Sequence, residues 1–479
     1  MKIAMIASEV TPFAKTGGLA DVLGTLTVAL ERLGHEICVI APAYRSALRG
    51  NFPLHETSNK LSVPIADRRQ EVAVLQSAIG KGVTVYLLRA DSYFDRESLY
   101  GTARGDYPDN AERFAFFSRA ALELLRRQPV DVVHCHDWQA ALAIVYLKTQ
   151  APRYSETAAA KTVLTIHNLG FQGTFPQHDW HVLNLDAALF TPQYLEFYGN
   201  INVLKGALVF ADKITTVSPS YAEEIMTAEQ GFGLDGVVRQ RAADLVGILN
   251  GVDYGQWNPW TDPFIEHHYG QNSLTSKGYC KKSLRQKFGL PDKPNTPVIA
   301  MISRLTSQKG FDLVEAIFDP LMQRDVQVVL LGSGEPRFEQ FFRDAAARYS
   351  DRVGVRIGFD ETLAHQIEAG ADLFLMPSLY EPCGLNQMFS LKYGTIPIVR
   401  AVGGLKDTVQ HYDAKAETGT GFVFEPYDAQ ALLDAIDHSL SVFRNKRAWT
   451  ALRRRAMEMD FSWDRSAKQY ASLYAQLVN

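Results

Sequence analysis

The sequence predicts an α/β protein built as two doubly wound domains, and three observations carry that reading. Short apolar runs alternate many times with amphipathic helical stretches. The alternation breaks once, in a stretch rich in Gly, Asn, Pro and Trp, and then restarts. The runs are apolar throughout and not at every second residue, as strands buried on both faces require. Strands of that kind alternating with helices form parallel sheets covered by helices.

In chain order, the strand candidates of the first half are KIAMIAS from Lys2, HEICVIAP from His35 and VTVYLLRA from Val83, then VDVVHCH from Val130, KTVLTIHN from Lys161 and KITTVS from Lys213. Helical stretches such as ERFAFFSRAALELLRRQ lie between several of them. The interruption is LVGILNGVDYGQWNPWTDP, from Leu245 to Pro263, after which PVIAMIS, VQVVLLGSG, VGVRIG, LFLMPS and TIPIVRA resume the pattern. The expected division is therefore a first domain over 1–245 and a second over 246–458. The tail, 459–479, is read separately: Trp463, Tyr470, Leu473, Tyr474 and Leu477 paint one apolar face on a last helix, which needs a surface to cover. The chain has no low-complexity tract and no short repeat.

Composition narrows the function classes. At 479 residues the chain is long for one core, and 46% hydrophobic with 21% charged residues is ordinary for a globular protein. A net charge of −4 offers no bulk attraction to nucleic acid or to anionic lipid. Cys38, Cys135, Cys280 and Cys383 are scattered without a CxxC pair, which argues against a disulfide framework or a zinc site and suits a reducing compartment. The first apolar run is too short for a signal peptide, and no apolar span is long enough to cross a bilayer, so a cytoplasmic location is expected.

Open parallel sheets bind ligands beyond the carboxyl ends of their strands, so the polar residues found there are the candidates. Lys15-Thr16-Gly17-Gly18 follows the first strand. In the second half Ser303-Arg304 and Gln308-Lys309-Gly310 follow PVIAMIS, Leu379-Tyr380-Glu381-Pro382-Cys383-Gly384-Leu385-Asn386 follows LFLMPS, and Gly403-Gly404 follows TIPIVRA. Three cations, Lys15, Arg304 and Lys309, and several bare turns would meet in a cleft between the domains. A diphosphate asks for that combination: backbone N–H groups from turns and helix starts, with Lys and Arg for its charge. A glycine pair alone is usually just a tight strand-to-helix turn, and Lys15-Thr16-Gly17-Gly18 is neither a dinucleotide nor a P-loop fingerprint. Two further constellations, His134-Cys135-His136-Asp137-Trp138 and His167-Asn168-Leu169-Gly170-Phe171-Gln172-Gly173, also end strands. Their histidines could be ligands, bases or structural groups. No DxD pair is present to hold a divalent ion on a diphosphate, and no metal site is expected.

The strings KTGGLADV, HCHDW, HNLGFQG, VSPSYAEEI, ILNGVD, SRLTSQKG and LYEPCGLNQ, in that order over nearly the whole chain, closely resemble bacterial glycogen synthases and plant starch synthases, ADP-glucose-dependent α-1,4-glucan glucosyltransferases of the GT-B fold. The resemblance implies a nucleotide-sugar donor, ADP-glucose, a glycogen or similar α-1,4-glucan acceptor, and no cofactor or metal. It implies that Lys15 with the amides of Gly17 and Gly18 closes over the donor, and that Arg304 and Lys309 hold its diphosphate. Gly384, Leu385 and Asn386 would add donors at a helix start, and Phe359 would lie against the adenine. Asp21, His167, Asn250, Glu381 and Cys383 would line the glucose. Tyr93, Phe94, Asp137 and Trp138 are acceptor-side candidates. The catalytic set implied is Glu381, His167, Lys15, Arg304 and Lys309. One departure stands out: many retaining GT-B enzymes carry a second Glu eight residues beyond the first, where this chain has Phe389. Alternatives are the same transfer from UDP-glucose, a pyridoxal-phosphate glucan phosphorylase, or a non-catalytic glucan-binding relative. The resemblance also implies that the last helix returns to the first domain.

Overall fold

A computed structural model describes residues 1–102 and 105–478. The chain forms two compact units. The first comprises Met1–Val217, Ala222–Gly251 and the C-terminal segment from Trp463; the second comprises Ser218–Tyr221 and Val252–Ser462.

The first unit is organised on a nine-stranded sheet. Its order is Leu245–Gly247, Lys213–Thr216, Lys161–Ile166, Val132–His136, Lys2–Ile6, Glu36–Pro42, Val83–Arg89, Arg68–Ile79 and His55–Ile65. The first seven are parallel, and every run named from the sequence is among them. The last two form an antiparallel hairpin at one edge, which the sequence reading did not include. The physical reason is legible in His55–Ile65: its outer half alternates exposed and half-buried residues, so an edge strand presents no continuous apolar run. The strand order reverses between Lys2–Ile6 and Val132–His136. The loops leaving those two strands carry Lys15–Gly18 and Asp137–Trp138, at the switch point where open sheets bind ligands.

The last helix, Trp463–Val478, buries Trp463, Ala467, Tyr470, Leu473 and Tyr474 in the first unit's core, with Leu19, Leu23 and Leu26 of the helix Gly18–Arg32. Each of the larger of these side chains removed from water contributes roughly 1.5–3 kcal/mol. Ser466 donates to the Leu249 carbonyl at 2.5 Å. A Cβ on Gly251 would stand 2.7 Å from the Trp463 backbone, so that glycine lets the chain pass close to the helix start.

The second unit holds a six-stranded, wholly parallel sheet in the order Val353–Ile357, Gln327–Gly332, Val298–Ile302, Leu373–Met376, Ile396–Arg400, Phe422–Phe424. Its reversal falls between Val298–Ile302 and Leu373–Met376, so the loops carrying Arg304 and Lys309 on one side and Glu381 on the other leave adjacent strands. The units divide at Gly251 and Val252 and not at 245, because Leu245–Gly247 pairs with Lys213–Thr216 and extends the first sheet. Residues 459–462 stay with the second unit, where the Val252 amide donates to the Phe461 carbonyl at 2.7 Å.

Candidate active site

In the second unit, the chain leaving Val298–Ile302 passes Arg304 and a 3-10 turn, Ser307–Lys309, before the helix Phe311–Leu321. Gly310 joins turn to helix at φ +75, and a Cβ there would sit 2.1 Å from the Pro377 carbonyl oxygen. Only glycine fits. The turn is held from below by Glu335, which accepts from the Ser307 amide at 3.0 Å. Lys309 is thereby aimed at Glu381: Nζ lies 2.6 Å from Oε2, which also accepts from the Ser378 hydroxyl at 3.1 Å. Glu381 is buried, 5% exposed. Arg304, by contrast, is exposed and forms no ion pair with any described residue.

The Glu381 loop rests on Gly403 and Gly404. A Cβ on the first would be 2.0 Å from the Glu381 carbonyl oxygen, and one on the second 2.1 Å from that of Cys383. The Gly404 amide donates to the carbonyls of Glu381 and Pro382, each at 3.2 Å. This pair is bare because a protein loop lies on it, which corrects the expectation that it is bare for a diphosphate. Gly384 has φ +71 beside the Gln387 side chain, and Leu385 leads into the helix Asn386–Tyr393. Asn386 Nδ2 donates to the Ile302 carbonyl at 2.6 Å, stitching this helix start to the strand that leads to Arg304. Cys383 is buried and outside any disulfide. Phe359 is 83% exposed, not core. Phe389, standing where a second Glu might be, stacks on Trp257 with centroids 3.9 Å apart and planes at 2°, and Trp257 stacks on His365 in turn at 3.7 Å. An aromatic sandwich fills that position.

In the first unit, Lys15 pairs with Asp21, Nζ to Oδ1 at 2.7 Å, with both side chains partly exposed. The amides of Thr16 and Gly17 turn to the buried carboxylate of Glu9, at 2.5 and 3.3 Å. The expectation that the Gly17 amide is free for a diphosphate is corrected: Glu9 takes it. Gly17 itself is extended at φ −157, and a Cβ there would meet nothing within 4 Å. The fold does not demand glycine at 17 as it does at 310, 403 and 404.

His134, His136 and His167 form a column. His134 and His136, two residues apart on one strand face, stack at 4.2 Å, and His136 Nδ1 lies 3.0 Å from His167 Nε2. His134 uses both ring nitrogens, on the Tyr474 hydroxyl at 2.7 Å and the Thr165 hydroxyl at 2.6 Å. Burial drives all three rings well below the ordinary imidazole range, His134 and His167 to about 3, so all are neutral at physiological pH. Asp137 adopts a left-handed backbone, φ +55, and accepts from the His167 amide at 2.7 Å. Burial nevertheless pushes its carboxyl up to about 7, against the lowering effect of the His167 and Asn168 amides. Asn250 is buried and its Oδ1 has no hydrogen-bond partner among the described residues.

The structure does not support all the acceptor-side candidates alike. Phe94 is fully buried in an aromatic cluster with Tyr44 and Phe116, so it is a core side chain and the expectation of an acceptor contact is withdrawn. Tyr93 is nearly buried and its hydroxyl is held by Arg68 and Glu112. Trp138 packs edge-on against Phe114 and Phe175, over Gly173, whose Cβ would stand 2.5 Å from the indole. Sequence reasoning missed Glu9, Ser378 and Glu335, lone polar residues with no diagnostic spacing. Only the loop each one holds reveals it.

Three comparisons complete the description. Residues 2–240 match the family model for the starch synthase catalytic domain, and residues 281–450 match that for glycosyl transferases group 1. The catalytic domain of starch synthase IV from Arabidopsis thaliana, solved with ADP and acarbose, superposes with a TM-score of 0.92 at 34% identity, covering 99% of each chain. Two parallel-sheet units with these matches define a glycosyltransferase of the GT-B fold. Along its whole length the chain is 48% identical to the glycogen synthase of Koribacter versatilis (strain Ellin345), covering 99% of this chain and 98% of that one. It is also 48% identical to that of Anaeromyxobacter sp. (strain Fw109-5), with 100% of both covered. The chain belongs to the glycogen synthase family.

Proposed function

We propose that this enzyme transfers glucose from ADP-glucose to the 4-hydroxyl at the non-reducing end of an α-1,4-glucan such as glycogen, with retention of configuration, releasing ADP. The observation that carries the reading is the group at the switch point of the second sheet, an uncommitted Arg304 and Lys309 on Glu381; Phe359, exposed after the edge strand Val353–Ile357, is assigned to the adenine.

Breaking the bond from the anomeric carbon to the diphosphate builds negative charge on the departing phosphate and positive charge on the sugar. Arg304 and Lys309 oppose the first charge where it develops, and Lys15 is likewise assigned to the donor's diphosphate. Glu381 carries the opposite sign beside Lys309 and suits the sugar. It orients hydroxyls and tolerates an oxocarbenium-like centre. Gly384, Leu385 and Asn386 present the start of a helix, where N–H groups favour a phosphate. Gly17, bare without a demand from the fold, suits the close approach of a ligand, and the Gly18 amide opens the first helix beside it. Asp21, Asn250, His167 and Cys383 are assigned to the glucose. The unmet Oδ1 of Asn250 suits a sugar hydroxyl, and a neutral His167 suits a hydrogen bond to the 6-hydroxyl. Trp138 and Asp137 are assigned to the acceptor.

A double displacement needs a carboxylate nucleophile below the anomeric carbon. The position that might supply a second carboxylate in the Glu381 loop is Phe389, locked in its stack. We therefore assign same-face attack, the leaving phosphate oxygen taking the proton from the acceptor hydroxyl. The cations are proposed to make a divalent ion unnecessary. No described helix is long and apolar enough to cross a membrane, and with four cysteines outside any disulfide we place the reaction in the cytoplasm.

The test is release of nucleoside diphosphate with glycogen as acceptor, from ADP-glucose and from UDP-glucose, with and without EDTA, and with Glu381→Ala. Rapid ADP release, indifferent to EDTA and lost in the variant, is expected. Turnover from UDP-glucose alone would overturn the donor, and sensitivity to EDTA the metal-free chemistry. Phosphorolysis with pyridoxal absorbance, or turnover of neither donor, would overturn the transfer itself.

A further inference from the structure

We propose that Glu9 is a positioning residue, a buried clamp that holds the Lys15–Gly18 loop by the amides of Thr16 and Gly17 and so sets Lys15 and the first free amides of the following helix for the donor's diphosphate. The inference rests on the donor reading above and names a residue which that reading did not use.

The loop has little else to hold it. Lys15, Thr16, Gly17 and Gly18 are four exposed residues in succession, and around the Cβ position of Gly17 no atom of the described residues beyond its chain neighbours lies within 4 Å. Among the described residues no apolar side chain packs around the Gly17 Cβ position. The Lys15–Asp21 pair lies in water, with side chains 41% and 34% exposed, and exposed pairs hold weakly. Glu9 is different. It is 4% exposed, and both its oxygens are engaged. Oε2 accepts from the amides of Thr16 and Gly17 at 2.5 and 3.3 Å, and Oε1 accepts from the hydroxyls of Thr16 and Tyr100, each at 2.6 Å. Three of these four donors belong to the loop. Hydrogen bonds to a buried carboxylate are short and strong, and a buried carboxylate stripped of them is costly, so the clamp is stiff from both sides.

The rest of the neighbourhood is arranged to fix Glu9 itself. It follows the central strand Lys2–Ile6. The next residues fold into a tight turn in which Val10 and Ala14 exchange backbone hydrogen bonds at 3.1 and 3.0 Å, and the Thr11 amide reaches the Ala20 carbonyl at 3.1 Å. Tyr100 is tied in addition to the Ser8 hydroxyl at 2.7 Å. The carboxylate thus stands on the rigid sheet and grips the loop just ahead of the helix Gly18–Arg32. The earliest amides of that helix have no carbonyl partner within it. Thr16 and Gly17 are spent on the clamp, so Gly18 and Leu19 are the amides it leaves for a phosphate.

The experiment uses the purified full chain with Glu9→Ala, Glu9→Gln and Tyr100→Phe. Hydrogen exchange is followed by mass spectrometry in peptides covering residues 13–18, and initial rates are measured with ADP-glucose and glycogen varied in turn. In Glu9→Ala the loop amides should exchange at least about tenfold faster with the rest of the map unchanged. The donor KM should rise and kcat fall, about 10–100-fold in kcat/KM together, as loss of two or three loop hydrogen bonds implies, with the glycogen KM unmoved. Glu9→Gln, which keeps one accepting oxygen, should fall between, and it carries the test if the alanine variant does not fold. Tyr100→Phe, which keeps every loop bond, should stay within about twofold of wild type, since it removes one hydroxyl bond of the four. Wild-type exchange in the loop of Glu9→Ala would overturn the clamp. So would faster exchange with unchanged donor kinetics, or equal losses for donor and acceptor that Gln does not relieve. If the wild-type chain uses neither nucleotide sugar, the functional reading fails, and the exchange comparison still decides whether Glu9 holds the loop.

Discussion

Two lysine–carboxylate pairs in the second unit share a 2.6 Å separation, Lys309 with Glu381 and Lys281 with Asp372, and they stand at opposite ends of the same two strands. Asp372 precedes Leu373–Met376 and also accepts from the Val298 amide at 2.9 Å, at the amino ends. Lys281 donates to the Pro294 carbonyl at 3.3 Å and lies 5.3 Å from the Phe443 ring. The Lys281 ammonium and the Asp372 Oδ2 are thus both engaged by groups of the fold. Lys309 and Glu381 lie beyond the carboxyl ends, beside an uncommitted Arg304. Distance does not separate a structural ion pair from a functional one. What separates them is whether the surroundings are closed, and on which edge of a parallel sheet the pair falls.

The comparison can be broken by removing one member of each pair. Lys309→Ala should lower kcat/KM for the donor by about 100–1,000-fold per folded molecule, as loss of a group opposing developing charge does, in addition to the stability lost by leaving the buried Glu381 without its lysine. A stability loss without a rate loss would make this pair structural too. Lys281→Met leaves Asp372 buried and unpaired, and should destabilise by about 3 kcal/mol with unchanged kinetics per folded molecule. Adding Asp372→Asn should restore most of that stability. If it does not, the cost came from lost packing and not from the stranded charge.

A third buried group sharpens the contrast. Burial pushes the Glu368 carboxyl up to about 8 despite a hydrogen bond from Ser390. Its folded state therefore keeps a proton that the unfolded chain has lost, and stability falls as pH rises from the ordinary glutamate range to about 8. Glu368→Gln should change little at pH 4 and stabilise progressively to pH 8, by up to about 5 kcal/mol, then level off. Urea unfolding across that range measures it, and a flat difference would rule out the ionisation. The smallest expected effect is at Phe359. Its replacement by Ala should raise the donor KM about tenfold with kcat kept, the size of a lost base-stacking contact, and an unchanged KM would remove it from the nucleotide.

Periodicity reached most of the fold because central strands buried on both faces announce themselves. KIAMI, VVHCH and VIAMI could be placed without coordinates. The hairpin His55–Ile79 could not, since its edge strand is half polar. Strand-end motifs located Lys15, Arg304, Lys309 and Glu381, yet they could not say what each touches in the folded chain. Lys15 was read toward a diphosphate and rests on Asp21; Gly403 and Gly404 were read as open turns and carry the Glu381 loop; Phe94 was read as a contact and is core.

What the sequence determined by itself was the kind of protein: two parallel-sheet units, the residue types that suit a nucleotide sugar, and their places at strand ends. Those properties are local, written in apolar runs and in the residues that follow them. Tertiary structure alone decided the pairings, Glu9 with the Thr16 and Gly17 amides, His136 with His167, Phe389 with Trp257. A hydrogen bond or a ring stack depends on two positions brought together by the whole fold, and neither position carries a mark of its partner.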